Sequence, residues 1–162
     1  MKFIVHDEPV GRAATNYVAR ADLAPFGLEG QVEQLWLKAV NDGTYEVACV
    51  PFLTYGVALG DSVLLAEDDY VREVVKTAWH RTLRMLIIPA VPAADLGQVT
   101  DQIKSAIRTS GLLSEWSGER LVAVDVPPDM DASEVITAME RVVNNGRAFW
   151  EWADSRPFSA RS

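Results

Sequence analysis

Residues 33–63 read EQLWLKAVNDGTYEVACVPFLTYGVALGDSV, and this stretch decides the fold of the first half of the chain. Its middle holds the pair Asp42 and Gly43, which favours the positive backbone φ angles of a tight hairpin turn. Apolar and polar residues alternate beyond that turn, as is typical of a strand with one buried face. The stretch therefore predicts an antiparallel hairpin. The turn at Gly60 and Asp61 then leads into a further strand, and the Asp61 side chain is expected to bond nearby backbone amides.

Short strands separated by turns account for the rest of the first half. Its first 32 residues predict one strand at Phe3–Val5 and then connecting loops, because glycine and proline interrupt them. We expect a β-rich subdomain over residues 1–82, built as a small antiparallel sheet or a partial barrel. The predicted strands that follow the loops are residues 34–40, 44–50, 62–66 and, as a strand or a short helix, 70–79.

The second half, residues 83–155, shows apolar positions that recur at spacings of three and four in two places. Its predicted order is strand, helix, strand, strand, helix, strand, which is the ferredoxin-like βαββαβ arrangement. The chain is thus predicted to be α+β, with this subdomain packed on the first and a tail at residues 156–162. Since Arg81 to Leu83 joins the halves directly, we expect one rigid body.

The ends of both predicted helices carry recognisable signals. Asp95 is placed to cap the first helix, and Gly111 to end it in a left-handed conformation. Asp131 and Glu134 have the spacing of a capping box at the start of the second helix. These signals predict where each helix begins and ends.

An ordered set of short motifs resembles a known family, the uncharacterised bacterial family called domain of unknown function 4265. The resemblance covers roughly residues 15–155 and implies no catalytic residues, because the family has no assigned activity. Trp79 stands where the resemblance leads us to expect a small residue such as glycine. The residues that carry it are Glu33, Leu35, Trp36, Asp42, Gly43, Tyr45, Pro51, Phe52, Gly56, Gly60, Asp61, His80, Thr82 and Arg84.

Composition limits the classes of function. The 162 residues include 15 basic and 23 acidic side chains, which gives a net charge of −8. Such a surface repels nucleic acid and acidic membranes, and it favours a basic protein partner or serves solubility alone. No apolar run is long enough to cross a bilayer, and Asp7 and Glu8 interrupt the start where a signal peptide would still be apolar. We therefore expect a cytoplasmic protein.

Metal and cofactor chemistry find little support in the sequence. Cys49 is the single cysteine and sits in an apolar strand pattern, so we expect a buried structural thiol. With only two histidines, no zinc site can be assembled from nitrogen and sulfur ligands alone. The acidic run Glu67, Asp68 and Asp69 lacks the spacing of a calcium loop and is expected to be an exposed hairpin tip. The segment 56–61 lacks a phosphate-loop or dinucleotide motif, and we expect no cofactor.

His80, Thr82 and Arg84 alternate along an extended segment and so could point to the same side. Together they offer an imidazole able to act as a general base, a hydroxyl and a forked guanidinium, which suits an anion or a carboxylate. Asp61 or Glu33 would orient them between the two halves. The alternative is a set of structural hydrogen bonds, which is the commoner role for such residues on a strand.

Three hypotheses about function follow from these patterns. The first is a protein-binding module, an inhibitor or immunity-type protein that masks a basic toxin or nuclease, because the chain is acidic and shows no convincing catalytic constellation. The second is an enzyme or small-ligand binder that uses His80, Thr82 and Arg84. The third is self-association with Trp150 and Trp152 at a dimer interface.

Overall fold

The computed structural model of the protein describes residues 1–14, 16–40 and 42–160. Two helices and two sheets account for most of it, which confirms the α+β class. The helices are α1 Ala93–Ser110 and α2 Ser133–Asn144. The strands are β1 Lys2–Ile4, β2 Tyr17–Asp22, β3 Gln31–Ala39, β4 Tyr45–Val47, β5 Ser62–Leu65, β6 Val71–Lys76, β7 Arg81–Ile87, β8 Leu113–Ser117, β9 Leu121–Val126 and β10 Ala148–Trp152.

The first sheet contains β1 to β6 and has β3 as its centre. Strands β1, β2 and β4 all pair with β3, and β5 and β6 continue the sheet beyond β4. The expectation of a purely antiparallel sheet is wrong at β1, which runs parallel to β3. A single bridge between Arg20 and Tyr70 brings β2 near the start of β6, but the described strands form no closed barrel. The predicted strand or helix at residues 70–79 is the strand β6.

Strand β2 lies in the segment that was predicted to be connecting loops, so that prediction is wrong. Its buried positions are Ala19 and Ala21, which pack against the core of the first sheet. Alanine is depleted in strands and gives a weak apolar signal, so the alternation is hard to see in the sequence. Pairing with β3 supplies the hydrogen bonds that define this strand.

The second sheet has the strand order β10, β7, β9, β8, and all its neighbours are antiparallel. Both helices pack on one face of it. Leu83, Met85 and Ile87 of β7 meet Ile103 of α1 and Met139 of α2 in the largest apolar cluster. The predicted sequence of six elements in this half is therefore confirmed.

Helix ends follow the sequence signals only in part. Gly111 ends α1 at φ 70°, and its amide bonds the carbonyl groups of Arg108 and Ile107, as expected. The Asp95 cap is wrong, because α1 begins after Pro92 and Asp95 lies in its first turn. Pro92 itself occupies the capping position, and it has no side-chain oxygen that could accept a hydrogen bond from the first turn.

The predicted capping box on α2 is also wrong. Asp131 accepts hydrogen bonds from the amide and the hydroxyl of Ser133, each at 2.9 Å. Helix α2 begins one residue after Ala132, which has no side-chain cap. Asp131 and Glu134 therefore do not form the reciprocal hydrogen bonds of a capping box. Asp131 still stabilises the turn that leads into the helix.

The tryptophans of the second half lie on the helix side of their sheet. Trp116, Trp150 and Trp152 each pack, partly buried, against the helix-side core. The opposite face of the sheet meets the first half, where Ala123 of β9 joins a cluster with Phe52. The chain's own core thus covers part of each indole. Neither helix has the length and apolar character to span a membrane within the described residues.

Candidate functional site

Three side chains singled out from the sequence, Asp61, His80 and Thr82, line one cavity of about 280 Å³. The cavity lies between the loop before β5, the segment that leads into β7 and the turn after β10. The Asp61 carboxylate accepts hydrogen bonds from the amides of Ala58 and Ala78, each at 2.9 Å. These bonds confirm the expected role of Asp61 in its turn, and they join two of the segments around the cavity.

A buried carboxylate that sequence reasoning did not single out holds the His80 ring. Nδ1 of His80 lies 2.9 Å from both carboxylate oxygens of Asp125, which is 1% exposed. Asp125 stands opposite Thr82 in the register of β7 and β9. Neither Asp61 nor Glu33 hydrogen-bonds the imidazole, contrary to what the sequence led us to expect. Only the pairing of β7 with β9 brings Asp125 to this place.

The arrangement of Asp125 and His80 defines what the imidazole can do. Because Asp125 is the acceptor at Nδ1, that nitrogen carries a proton, and in the neutral form of the ring Nε2 presents a lone pair. Nε2 has no hydrogen-bond partner among the described residues. The side chain of His80 is 25% exposed, so solvent and ligands can reach the ring that carries Nε2.

The hydroxyl of Thr82 is buried without a partner. Thr82 is 2% exposed, and its Oγ1 makes no hydrogen bond within the described part of the chain. A buried hydroxyl that stays unpaired costs about 1–3 kcal/mol, and most native structures avoid it. Thr82 lines the cavity with His80, so a bound molecule that displaces the atoms covering Oγ1 would complete its hydrogen bonding.

Negative charge predominates around the cavity. Asp61 and Asp154 line it, and Arg81, which also lines it, is paired with Asp154 at 2.9 Å. Asp125 adds a further carboxylate behind His80. Burial raises the pKa of Asp61 and of Asp125 above the ordinary range. The charges favour a neutral hydrogen-bond donor or a cation over the anion expected from the sequence.

Trp79 stands at the rim of the cavity in an unusual backbone conformation. Its φ angle is 65°, although it is neither glycine nor asparagine, and 74% of its surface is exposed. A bulky residue in the left-handed region is strained. Glycine, one of the small residues that the resemblance led us to expect there, adopts such a φ angle without strain. Such strain is often found at functional sites, and Trp79 directly precedes His80.

Arg84 lies apart from His80 and Thr82. Its guanidinium pairs with Glu151 at 2.8 Å and donates to the carbonyl groups of Phe52 at 2.8 Å and Thr54 at 3.3 Å. Arg84 does not line the cavity that His80 and Thr82 share. Arg84 is two residues beyond Thr82, a further step of about 6.6 Å along the strand, and this step takes it out of the cavity.

A second polar cluster, here called the His6 cluster, consists of His6, Glu33 and Glu115. Nε2 of His6 lies 2.9 Å from Glu33, and Nδ1 lies 2.7 Å from Glu115. Phe52 stacks on the imidazole with ring centroids 4.3 Å apart. All three members are at most 4% exposed. Sequence analysis did not find His6, because its partners come from β3 and β8 and not from its neighbours.

Charge in the His6 cluster is held in place by hydrogen bonds. Burial by itself lowers the pKa of His6, but the neighbouring Cys49 and the hydrogen bonds with Glu115 and Glu33 outweigh it and raise the pKa to about 12. Burial would raise the pKa of Glu33, yet bonds from His6, Thr54 and a backbone amide lower it to about 2. The cluster is therefore an imidazolium between carboxylates, and its burial suits a structural role.

Cys49 is fully buried beside the His6 cluster, as expected. Burial raises the pKa of its thiol, which favours the unreactive protonated form. The acidic run Glu67, Asp68 and Asp69 is exposed at the turn between β5 and β6, and Asp69 accepts a hydrogen bond from Tyr17 at 2.5 Å. No group of three or more potential ligand side chains in residues 1–14, 16–40 and 42–160 could hold a metal ion.

A solved structure, titled "Novel crystal structure of a hypothetical protein from Neisseria gonorrhoeae", superposes on 91% of this chain and 100% of its own, with a TM-score of 0.65. The two sequences are 18% identical, so the likeness concerns the fold alone. No curated protein matches the chain. The family model described as "Domain of unknown function (DUF4265)" matches residues 33–152, and the chain therefore belongs to this family, as its motifs indicated.

Proposed function

We propose that the protein binds a small molecule in the cavity at His80 and uses the imidazole as a hydrogen-bond acceptor or general base. One observation carries this proposal. An imidazole oriented by a buried carboxylate and an unpartnered buried hydroxyl, those of His80 and Thr82, line the same cavity. Two polar groups with free hydrogen-bonding capacity in one concave site are what a ligand-binding pocket requires.

The chemistry follows from the positions of the protons. Asp125 accepts a hydrogen bond from the N–H group at Nδ1 of His80, which leaves Nε2 of the neutral ring able to accept a proton from a bound hydroxyl or amine. Thr82 can donate to the ligand or accept from it. Because carboxylates predominate around the cavity, the ligand class is a neutral or cationic molecule with hydrogen-bond donors, such as an alcohol or an amine.

Thermal-shift titration with a matched set of alcohols, amines and carboxylates tests this function. We expect alcohols or amines to raise the melting temperature and carboxylates to have no effect. Replacing Thr82→Val keeps the shape of the side chain and removes the hydroxyl. Without ligand, the Thr82→Val variant should be at least as stable as the parent, because an unpaired buried hydroxyl lowers the free energy of unfolding by about 1–3 kcal/mol. Ligand binding should weaken by about tenfold.

The matched control is Thr109→Val, the same change at an exposed position of α1. It should alter neither ligand binding nor the melting temperature beyond the small effects of a surface substitution. A Thr82→Val protein that binds as tightly as the parent would contradict the proposal. The proposal would also be contradicted if only the carboxylates of the titration set bound.

A second candidate function is the masking of a basic protein, as an inhibitor or an immunity-type protein would do. It is supported by the exposed turn that carries Glu67, Asp68 and Asp69, together with the net charge of −8. Charges of this kind mainly speed the encounter with a basic partner, whereas buried anchors set the affinity. The partner class is a basic toxin or nuclease in the same cell.

Co-purification from the native cell at low salt, followed by measured association rates, tests this second function. Glu67→Gln with Asp68→Asn should slow association with a captured basic protein several-fold and leave dissociation nearly unchanged. The control changes the same charge on exposed helix positions, Glu140→Gln with Asp101→Asn. Equal effects of the two pairs would show that only net charge matters and would count against a binding surface at the turn.

We also infer a ferredoxin-like arrangement for the second half of the chain. The strand order β10, β7, β9, β8 and the packing of both helices on one face support it. An experimental structure with one helix on each face of this sheet would contradict it. The assignment concerns architecture and carries no function, because this arrangement hosts many unrelated activities.

A further inference from the structure

A second cavity, of about 230 Å³, lies on the face of the second sheet opposite the helices. Its walls combine apolar side chains with one charged pair, Arg84 and Glu151. It shares no lining residue with the cavity at His80, so it is a separate site. The apolar residues that line it include Leu53, Leu86, Leu121 and Phe149.

Three of these apolar residues form a continuous row across neighbouring strands. Phe149 of β10 is opposite Leu86 of β7, and Leu86 is opposite Leu121 of β9. Phe149 is 69% exposed and Leu86 is 47% exposed. Residues opposite each other on one face of a sheet lie about 4.5–5.5 Å apart, so the row is a contiguous apolar surface beside the cavity. Exposed apolar surface of this kind commonly marks a binding site.

Arg84 supplies the polar element of the cavity. The residue is only 3% exposed, and its Nε and Nη1 groups are bonded to Glu151 and to the carbonyl groups of Phe52 and Thr54. Its Nη2 is buried and has no hydrogen-bond partner among the described residues. An unpaired N–H of a buried guanidinium is costly, so Nη2 would be a strong donor. Because Nη2 has almost no solvent-accessible surface, an acceptor in the cavity bonds it only after the neighbouring side chains shift.

Charge decides which kind of acceptor fits. The guanidinium of Arg84 is already balanced by Glu151 at 2.8 Å, and Glu151 also accepts a hydrogen bond from Tyr55 at 2.5 Å. A ligand carboxylate would therefore add a second negative charge close to Glu151, and like charges in a partly buried site repel. An uncharged carbonyl oxygen satisfies Nη2 without that repulsion. A pure hydrocarbon would leave Nη2 unpaired.

We propose that this cavity binds a small apolar molecule that carries one uncharged carbonyl oxygen, such as an amide, an ester or a ketone. The carbonyl accepts a hydrogen bond from Nη2 of Arg84, and the apolar part covers Leu86 and Phe149. The volume suits a ligand of this class, because a cavity of about 150 Å³ already holds a benzene ring.

Three probes of similar shape test the proposal on the intact protein: phenylacetamide, phenylacetate and propylbenzene. Binding is followed by NMR titration of the methyl groups of Leu53, Leu86 and Leu121. Phenylacetamide should bind about tenfold more tightly than either of the others, because only it pairs with Nη2 uncharged. Its largest shifts should fall on these three leucines. The probe series, and not a substitution, tests the role of Arg84 as the donor. Arg84 also bonds the carbonyl group of Phe52, so replacing it could unfold the chain.

Leu86→Glu tests the location, because the position is 47% exposed and the new carboxylate would stand at the cavity. It should abolish phenylacetamide binding. Leu113→Ala is the control: this residue is 53% exposed on β8 of the same sheet and does not line the cavity, so binding should persist. The proposal is overturned if phenylacetate or propylbenzene binds as well as the amide, if no probe binds, or if Leu86→Glu leaves binding intact.

Discussion

His6 and Glu115 are 109 positions apart in the sequence, yet Nδ1 of His6 lies 2.7 Å from a carboxylate oxygen of Glu115. The same carboxylate accepts hydrogen bonds from the amides of Val50 at 2.5 Å and Val10 at 3.4 Å. Glu115 belongs to β8 of the second sheet, whereas its partners all belong to the first half. A buried charge on one half is thus satisfied entirely by the other, which couples the folding of the two.

Glu33→Gln should destabilise the protein strongly. The change leaves the His6 imidazolium with one carboxylate and replaces the acceptor that the amides of Phe52, Leu53 and Thr54 share. Breaking one partner of a buried ion pair typically costs about 3–5 kcal/mol in the free energy of unfolding. Urea denaturation measures this loss directly.

The control for that substitution is Glu46→Gln, the same change at an exposed position of β4. It should alter the free energy of unfolding by no more than about 0.5 kcal/mol. Equal, small effects at Glu33 and Glu46 would show that the His6 cluster holds little of the stability.

The His6 cluster should make stability depend on pH in two windows. The pKa of His6 rises from 6.5 to about 12 on folding, so its contribution is complete below 6.5 and is lost as pH rises toward 12. The pKa of Glu33 falls from 4.5 to about 2, so its contribution is complete above 4.5 and is lost as pH falls toward 2. Both contributions are complete only between 4.5 and 6.5.

Urea unfolding of the parent and of His6→Gln over a pH series measures the alkaline window. The difference in unfolding free energy between them should be largest near pH 6 and should shrink as pH rises to about 9, because only the parent holds the extra proton. A difference that stays constant over this range would mean that folding does not raise the pKa of His6.

Trp79→Gly should be more stable than Trp79→Ala. Both variants remove an indole that is 74% exposed, but only glycine relieves the backbone strain at φ 65°. The left-handed conformation costs a residue with a Cβ about 1–2 kcal/mol. Thermal melts of the pair should therefore differ by several degrees in favour of glycine. Identical melting temperatures would show that no such strain is present.

The two halves should unfold as one cooperative unit. Arg84 of β7 donates to backbone carbonyl groups of Phe52 and Thr54, and the His6 cluster links the same halves through Glu115. We expect limited proteolysis to yield no stable folded fragment near residues 83–155. Recovery of such a fragment, with a single transition of its own in a melt, would establish two independent domains instead.

Predictions that rest on a few adjacent residues agree with the structure at the turns and at the end of α1, but they fail at the start of both helices. Gly111 ends α1 in a left-handed conformation through hydrogen bonds to residues three and four positions earlier. The Asp61 side chain stabilises its turn by accepting a hydrogen bond from the amide of Ala58. The apolar stripe of α1 is likewise a local pattern, and Ile103 and Ile107 are buried as its spacing predicts. The missed strand β2 shows the limit, because Ala19 and Ala21 give little apolar signal until β3 pairs with them.

The candidate site was predicted only in part. Alternation along the extended segment correctly predicted that Thr82 and Arg84 lie on the same face of the strand, and both are buried. Alternation does not say how far along the strand each neighbouring segment reaches, so it could not separate Arg84 from the cavity at His80. The partner of His80 depends on the register of β7 and β9, which places Asp125 opposite Thr82.

By itself, the sequence determined the class of the fold, the order of most elements, the turns and the net charge of −8, because each depends on composition or on residues close together. Only the tertiary structure decided which charges meet. His6 bonds Glu33 and Glu115, His80 bonds Asp125, and the hydroxyl of Thr82 has no partner among the described residues. Strand register and sheet packing set these contacts, and both depend on the free energy of the whole chain rather than on local preference.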